Sequence, residues 1–503
     1  MHIMKEFFDA LRERDIAYAH FKSNVNLEYS FEHGGDFDVV FDPARQRELT
    51  ETLLAFRAKQ MNTTPDKRYP GVDNWLFFDP ETGEIHHLHL HYQLMTGKSF
   101  VKDYEIPWRD LVLETRVTDP RWQISVTDPA LELCLLNVRA VVKSKAADTV
   151  RALVGAYRMH GSLASERQAL LGVAAPRDVE RYIDRLFDGG DAPLLKELFC
   201  KEKLSGGDFL RMSAAVRRTL KPYRRYSGFA AAWLSTWRTL NYYRKRLVRK
   251  TGGFVSLRKT SLSKGAIIAF VGVDGSGKST TSKNIYKWMS RQFDCARVYM
   301  GLGDGKTTPL AALLKKGRDV AGPSKSGGQS INSAGYVRKD PVSFWKKPGF
   351  YLRKRLLIAA LCSVEKSNRK KILGMNRFRI NGGVSVLDRY PQIELPNTND
   401  GPKLEAYRHV IKADALIDRL TRKEAQWLSV VKTVKPDIVF RLNITAEESM
   451  RRKDDQTDIT VVRSKIEDLR SITFQGARIV DVDAAQPYEE ELLAIKKIIW
   501  DYL

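Results

Sequence analysis

The 503-residue sequence predicts an α/β protein in which a doubly wound, five-stranded parallel sheet fills the C-terminal half, preceded by an α+β domain and a helical region. Three observations predict it. The runs AIIAFVGV, ARVYMG, GVSVLD, DIVFRLNI and ARIVDV are apolar, of strand length and separated by helical stretches, the rhythm of strands buried on both faces. The first run leads straight into GVDGSGKST, a glycine-rich turn that opens a helical pattern with Ile285, Trp288, Met289 and Phe293 on one face. The chain is also too long for one hydrophobic core, which rarely organises more than about 250–300 residues.

Residues 1–127 alternate short apolar runs with turn residues. FDVVFD, NWLFFDPETGEIHHLHLHYQL and WQISVTDP read as strands, the middle run as two strands joined by a Pro/Gly turn, which makes this part α+β. From DPALELCLLNVRAVVK onward the apolar spacing lengthens to three and four. Leu131, Leu135, Val138 and Val142 then share one helical stripe, and residues 128–220 read as a helical extension. Residues 221–264 form a basic bridge in which a helix stops at Gly252 and Gly253. Residues 265–503 carry the parallel sheet, with the small polar run at 322–335 as a loop.

Hydrophobic residues make up 43% of the chain and charged residues 29%, which excludes wholesale disorder. Cys134, Cys200, Cys295 and Cys362 lie far apart, so neither a zinc site nor a disulfide framework is indicated. The first turns carry acidic residues where a secretory signal would be apolar, and no run approaches the ~18 apolar residues of a spanning helix. The expectation is a cytoplasmic protein. Its net charge of +24 is concentrated: residues 209–273 contain no Asp or Glu. With Trp233, Trp237, Tyr242 and Tyr243 interleaved, this stretch fits an anionic membrane surface at the inner face, an acidic polysaccharide or a nucleic-acid backbone. Its amphipathic start and basic end favour the membrane over nucleic acid; helices that pack the domains together, with basic faces in solvent, are the plain alternative.

Gly272, Gly277, Lys278 and Ser279 satisfy G-x-x-x-x-G-K-[ST] between an apolar strand and a helix. In such a loop, backbone N–H groups converge on phosphate oxygens and the helix N-terminus adds partial positive charge. The nucleotide-binding set is therefore Gly272, Asp274, Gly275, Ser276, Gly277, Lys278, Ser279 and Thr280, with Lys278 on the β/γ-phosphates of ATP and Ser279 on Mg²⁺.

VDGSGKST, followed by VLDRYP, resembles the thymidylate kinase family of nucleoside monophosphate kinases, and KPDIVFRLNITAEESMRRK and VDVDAAQPYEEELLAIKKIIWDYL extend the likeness across the C-terminal domain. The resemblance implies a five-stranded parallel sheet, ATP and Mg²⁺ as cofactors, and frequent dimers. It implies that Asp388 organises Mg²⁺ or accepts a proton, that Arg389 holds the acceptor phosphate, and that Asp274 lies where the family contacts the acceptor sugar. Arg451, Arg452 and Lys453 would close over the transferring phosphoryl group, where cations stabilise a loose transition state. Thr445 and Glu448 have capping-box spacing at the start of that helix. The chain departs from the family in having Val271, not Glu, before the loop, and PQIELPNTNDGPKL in place of the AYQ stretch. The thymine-reading segment is not recognisable. Asp304 and Lys306, after the second strand, are acceptor-side candidates or a plain turn.

In the N-terminal domain Asp36 and Asp38 flank Phe37, so on a strand both carboxylates face one way and could share a divalent metal. With Gly34 and Gly35 before them, they resemble the Asp-x-Asp strand of the DNA polymerase β-like nucleotidyltransferase superfamily, whose members often carry a following helical domain. The superfamily's Gly-Ser signature is reduced here to Lys22-Ser23, and His87, His89 and His91 stand where a third carboxylate is expected. These histidines read equally as metal ligands or as the polar face of a strand.

The combined expectation is an ATP- and Mg²⁺-dependent kinase acting on a small acceptor, a nucleoside monophosphate or a sugar or polyol of surface-glycan synthesis. A regulatory or defence ATPase, whose nucleotide state controls nucleic-acid binding by the N-terminal domain, is the alternative.

Overall fold

The computed structural model describes residues 2–159, 161–187, 189–300, 348–395, 401–402, 415–453 and 458–503. Asp304, Lys306, the run at 322–335, residues 396–400 and 403–404 of the altered acceptor segment and the side chain of Lys453 lie outside the described residues. The chain divides into two compact units. Met1–Lys250 with Leu257–Leu262 form the first, and Thr251–Ser256 with Ser263–Leu503 the second.

The first unit is built on a mixed sheet of β1 (Tyr18–His20), β2 (Asp36–Phe41), β3 (Lys59–Asn62), β4 (Val72–Phe78), β5 (Ile85–His91), β8 (Val117–Thr118), β9 (Ser125–Val126) and β10 (Thr260–Ser261); β6 (Leu94–Thr96) and β7 (Tyr104–Ile106) pair separately. Its strand order is β10-β3-β4-β5-β2-β1-β9-β8. β4 and β5 form the antiparallel pair expected of the Pro/Gly turn, in which Asp79 Oδ1 accepts from the N–H groups of Glu81 and Thr82 and Gly83 takes φ +71°. At the centre β2 runs parallel to β5. Phe37, Val39 and Phe41 bury themselves on one face, which leaves Asp36 and Asp38 on the other, directly opposite His87 and His89.

Residues 128–220 are helical, with helices at Pro129–Lys143, Ala146–Leu153, Gly161–Val173, Pro176–Leu186, Ala192–Cys200 and Gly206–Thr219. Asp128 caps the first, accepting from the N–H groups of Ala130 and Leu131, and Pro129 sits at its first turn, where a missing N–H costs nothing. Leu131, Leu135, Val138 and Val142 are buried. Arg167 fastens this region from inside. The residue is 4% exposed, and its guanidinium donates to Asn137 Oδ1, to the last-turn carbonyls of Leu198 and Phe199 in helix Ala192–Cys200, and to the carbonyls of Lys201 and Glu202 just beyond it. Residues 221–264, read as a bridge, contain the helix Gly228–Lys250 and the edge strand β10 of the first unit, with Thr251–Ser256 between them belonging to the second.

The second unit contains the five apolar runs as β11 (Ala266–Gly272), β12 (Cys295–Tyr299), β13 (Val384–Asp388), β14 (Ile438–Asn443) and β15 (Arg478–Asp483), all parallel, in the order β12-β13-β11-β14-β15. β11 is central, with later strands on both sides, so the chain reverses direction across the sheet there; ligands of open parallel sheets bind at the carboxyl ends of strands at such a point. Gly265 and Gly383 let β11 and β13 start side by side: a Cβ on Gly265 would lie 2.1 Å from the Gly383 carbonyl oxygen and 2.7 Å from that of Arg379.

Two outcomes test this packing. Gly265→Ala, driven against backbone atoms that cannot swing away, lowers the stability of the second unit by about 1–3 kcal/mol, read as the thermal unfolding midpoint. Arg167→Met keeps the bulk and loses the bonds to five acceptors, and costs the first unit about 3 kcal/mol in urea unfolding.

Candidate functional site

At the carboxyl end of β11 the chain turns through Val273–Ser276 into the helix Lys278–Met289. The glycines serve different ends. Gly272 has no room for a side chain, because a Cβ would fall 2.3 Å from Ser276 Oγ and 3.0 Å from the Leu442 carbonyl, whereas Gly275 and Gly277 adopt φ of +82° and +85°. Ile285, Trp288, Met289 and Phe293 bury the helix against its unit. Thr280, at its first turn, donates its N–H to the Gly277 carbonyl.

Lys278 lies almost buried. Its ammonium donates to the Val273 carbonyl at 3.1 Å and to Asp274 Oδ1 at 3.3 Å, and Arg389 reaches the same carboxylate oxygen at 3.4 Å. Burial first, and then the nearby Arg389, pull the Lys278 pKa below the usual lysine value, with Asp274 opposing them. Asp274 thus holds two cations at the mouth of the loop. Its own carbonyl accepts from Ser449 Oγ at 2.6 Å, which ties the loop to the helix Ala446–Lys453.

Asp388 ends β13 in register with Phe270 of β11. Ser279 Oγ donates to its Oδ2 at 2.5 Å, while its Oδ1 is buried with no hydrogen-bond partner among the described residues, as is Ser276 Oγ. A buried carboxylate oxygen without a donor is costly on its own. A serine hydroxyl and a carboxylate in contact, with one oxygen to spare, are the hard oxygen donors that Mg²⁺ takes, so the residues fit that ion. Arg389 follows with φ +72°, a left-handed conformation rare for a non-glycine residue, and its N–H donates to the Phe270 carbonyl.

The structure therefore brings Asp274, Lys278, Ser279, Asp388 and Arg389 together. The basic pair on helix Ala446–Lys453 divides. Arg452 passes over Gly275 and donates to the Ala484 carbonyl at 3.0 Å and to Glu448, whereas Arg451, its side chain 76% exposed, is held by Glu448 at 2.8 Å. The expected capping box is half formed. Thr445 Oγ1 accepts from the Glu448 N–H at 3.2 Å, but the Glu448 carboxylate turns to Arg451 and Arg452, whose charges outbid a neutral N–H.

In the first unit Asp36 and Asp38 share a face without sharing a partner. Asp36 Oδ1 meets His87 Nδ1 at 2.7 Å, and Asp38 Oδ1 meets Lys22 Nζ at 2.6 Å, His89 Nδ1 at 2.9 Å and His91 Nε2 at 3.3 Å. Asp38, His89 and His91 are close enough to hold a metal ion jointly, but the Lys22 ammonium already occupies a cation's place at that oxygen. Lys259 does the same beside His87, 2.9 Å from its ring nitrogens. Burial raises the Asp38 pKa, and Lys22 and His89 outweigh it, so the carboxylate stays charged; burial also pushes His91 down to about 4, and it stays neutral. The backbone N–H groups of Ser23 and Asn24 are taken by the carboxylates of Glu166 and Glu132, both at 3.0 Å, and burial raises Glu132 to about 7. Beside Lys22, a concavity is lined by Phe21, Thr96, Lys102, Arg139 and Lys143; burial and neighbouring cations lower Lys102 to about 8 and Lys143 to about 7.

Sequence reasoning missed Ser449, Lys102, Arg139 and Lys143 as parts of these sites and gave Lys22 and Lys259 no role at Asp38 and His87. Each reaches its site from a distant segment, and no local spacing marks it.

No protein-family model matches the chain. It is similar to two proteins of Escherichia coli strain K12. The uncharacterized ATP-binding protein YghR is 28% identical over 240 residues, covering 46% of this chain and 86% of the relative. The uncharacterized ATP-binding protein YghS is 27% identical over 234 residues, covering 46% of this chain and 92% of the relative.

Proposed function

We propose that the second unit binds ATP with Mg²⁺ and transfers the γ-phosphoryl group to a small acceptor, in the manner of the thymidylate kinase family that its motifs resemble. The observation that carries the reading is the Ser279–Asp388 contact, with Asp388 Oδ1 buried beside the loop and without a hydrogen-bond partner among the described residues. The names of the two relatives support the nucleotide as ATP.

On this reading the N–H groups of the glycine-rich turn and Lys278 hold the phosphates, and Lys278 exchanges Asp274 for a phosphate oxygen as ATP enters. Ser279 and Asp388 would hold Mg²⁺, which would supply positive charge against the phosphates. Arg389, one residue past Asp388 and bonded to Asp274 of the loop, then faces the acceptor. An acceptor oxygen forms its bond to the γ-phosphorus as the bond to the β-phosphate oxygen breaks, and ADP leaves. Arg452, packed over Gly275, offers positive charge where the transferring oxygens gather it. The acceptor is a nucleoside monophosphate or a phosphorylated sugar or polyol, since Arg389 suits a phosphate group.

ADP release from ATP, measured with a panel of nucleoside monophosphates and phosphorylated sugars, tests the reading. One acceptor class stimulates turnover by the wild type, and Lys278→Ala and Asp388→Asn each lower it by about 10²–10³-fold. ATP binding with no acceptor that raises ADP release would assign the loop to a nucleotide switch instead.

A further inference from the structure

The helix Gly228–Lys250 is mounted the wrong way round for a soluble surface helix. Such a helix turns its apolar stripe to the core and its polar face to water. Here the polar face is the one that docks on the first unit. Ser235 Oγ donates to the Ser99 carbonyl at 3.1 Å, Arg238 to the Phe100 carbonyl at 2.7 Å, and Asn241 and Lys245 to the Asp66 carboxylate, at 3.2 and 2.6 Å. Tyr242 adds a ring contact with Phe100, and Lys67 lies over both rings. Among the helix's residues only Ala231 is buried.

Phe229, Trp233, Trp237, Leu240, Tyr243 and Leu247, spaced by three or four, form a continuous stripe on the outward side, each 57–84% exposed. A run of large apolar and aromatic side chains this long is rarely left to water on a monomer. Arg244 and Arg246, both exposed, flank it, and no acidic residue occurs between positions 209 and 273.

We propose that this stripe lies in the surface of an anionic lipid bilayer. The chemistry selects that occupant: tryptophan and tyrosine rings settle at the headgroup level, leucine and phenylalanine reach the acyl boundary, and an acid-free basic margin meets anionic headgroups. A second protein surface would meet the same apolar stripe, but an uninterrupted basic margin has no need of one. No helix among the described residues is long and apolar enough to cross a membrane, so the contact lies along the surface and does not span it. The polar bonds to Ser99, Phe100 and Asp66 fix the helix axis, so the rings face outward before any lipid arrives and little ordering is left to be done on binding.

Co-sedimentation of the full chain with vesicles of phosphatidylcholine, with and without phosphatidylglycerol, tests this. The protein sediments with the phosphatidylglycerol vesicles, high salt weakens the association, and tryptophan emission shifts to the blue only when those vesicles are present. Trp233→Ser with Trp237→Ser abolishes the shift and weakens binding tenfold or more, and Arg244→Gln with Arg246→Gln weakens it by about tenfold on anionic vesicles. These residues are exposed, so the variants retain the thermal midpoint of the wild type. Absence of sedimentation on both vesicle types overturns the proposal, as does vesicle binding equal to wild type in the tryptophan variant. A concentration-dependent dimer in sedimentation equilibrium that the same variant loses would also overturn it, giving the stripe to a second copy of the chain.

Discussion

The second unit depends on one hydrogen bond, 2.5 Å long, from the hydroxyl of Ser279 at the start of a helix to the carboxylate of Asp388 at the end of a neighbouring strand. For the two to meet, β13 must end just short of the loop that follows β11, and their parallel register, with Asp388 beside Phe270, ensures it. A slip of one residue would turn the Asp388 side chain to the other face of the sheet. The register is anchored at the far end, where Gly265 lies too close to the Gly383 backbone for any side chain and Gly383 too close to the Phe378 ring. A packing requirement at the amino ends of two strands therefore sets the chemistry at their carboxyl ends, and the turn that gives Arg389 its left-handed backbone begins from that fixed point.

Charge is handled differently in the first unit. Asp36 and Asp38 meet partners within the fold: Asp36 bonds to His87, which burial keeps neutral, with the Lys259 ammonium beside that ring, and Asp38 pairs with the Lys22 ammonium. The N–H groups of the Ser23–Asn24 turn, which could receive an anion, receive Glu166 and Glu132. Among the described residues, both carboxylates of the acidic strand thus have internal counterparts, while His86 Nε2 and His91 Nδ1 on the neighbouring strand stay buried without a hydrogen-bond partner. Lys102 and Lys143 depart from this pattern: burial beside other cations weakens their hold on a proton.

Much of the second unit was legible because its signals are local. Each of the five apolar runs needed only its own composition to be read as a strand, and the spacing of Gly272, Gly277 and Lys278 encodes a turn that closes on itself. The common face of Asp36 and Asp38, and of His87, His89 and His91, followed from the two-residue period of a strand. Strand order was not legible, since a buried run says nothing of which run lies beside it. Nor were the roles of Lys22 and Lys259, which sit in unrelated stretches and are brought to one strand face only by the closed sheet. Glu448 shows how a correct local pattern can be half overruled: its N–H obeys the capping spacing, and its side chain obeys the stronger field of two arginines.

The two units are interleaved in sequence, for residues 251–256 belong with the second and residues 257–262 return to the first. That return supplies both β10, which closes the edge of β3, and Lys259, which stands against His87. During synthesis the first sheet therefore keeps an open edge, and the Asp36–His87 pair lacks its ammonium, until the ribosome has already released the residues that start the second unit. Cutting the chain at the obvious glycine pair, Gly252 and Gly253, would yield a fragment with all its helices and an unfinished sheet, so the boundary that looks natural in composition is not where the first fold ends.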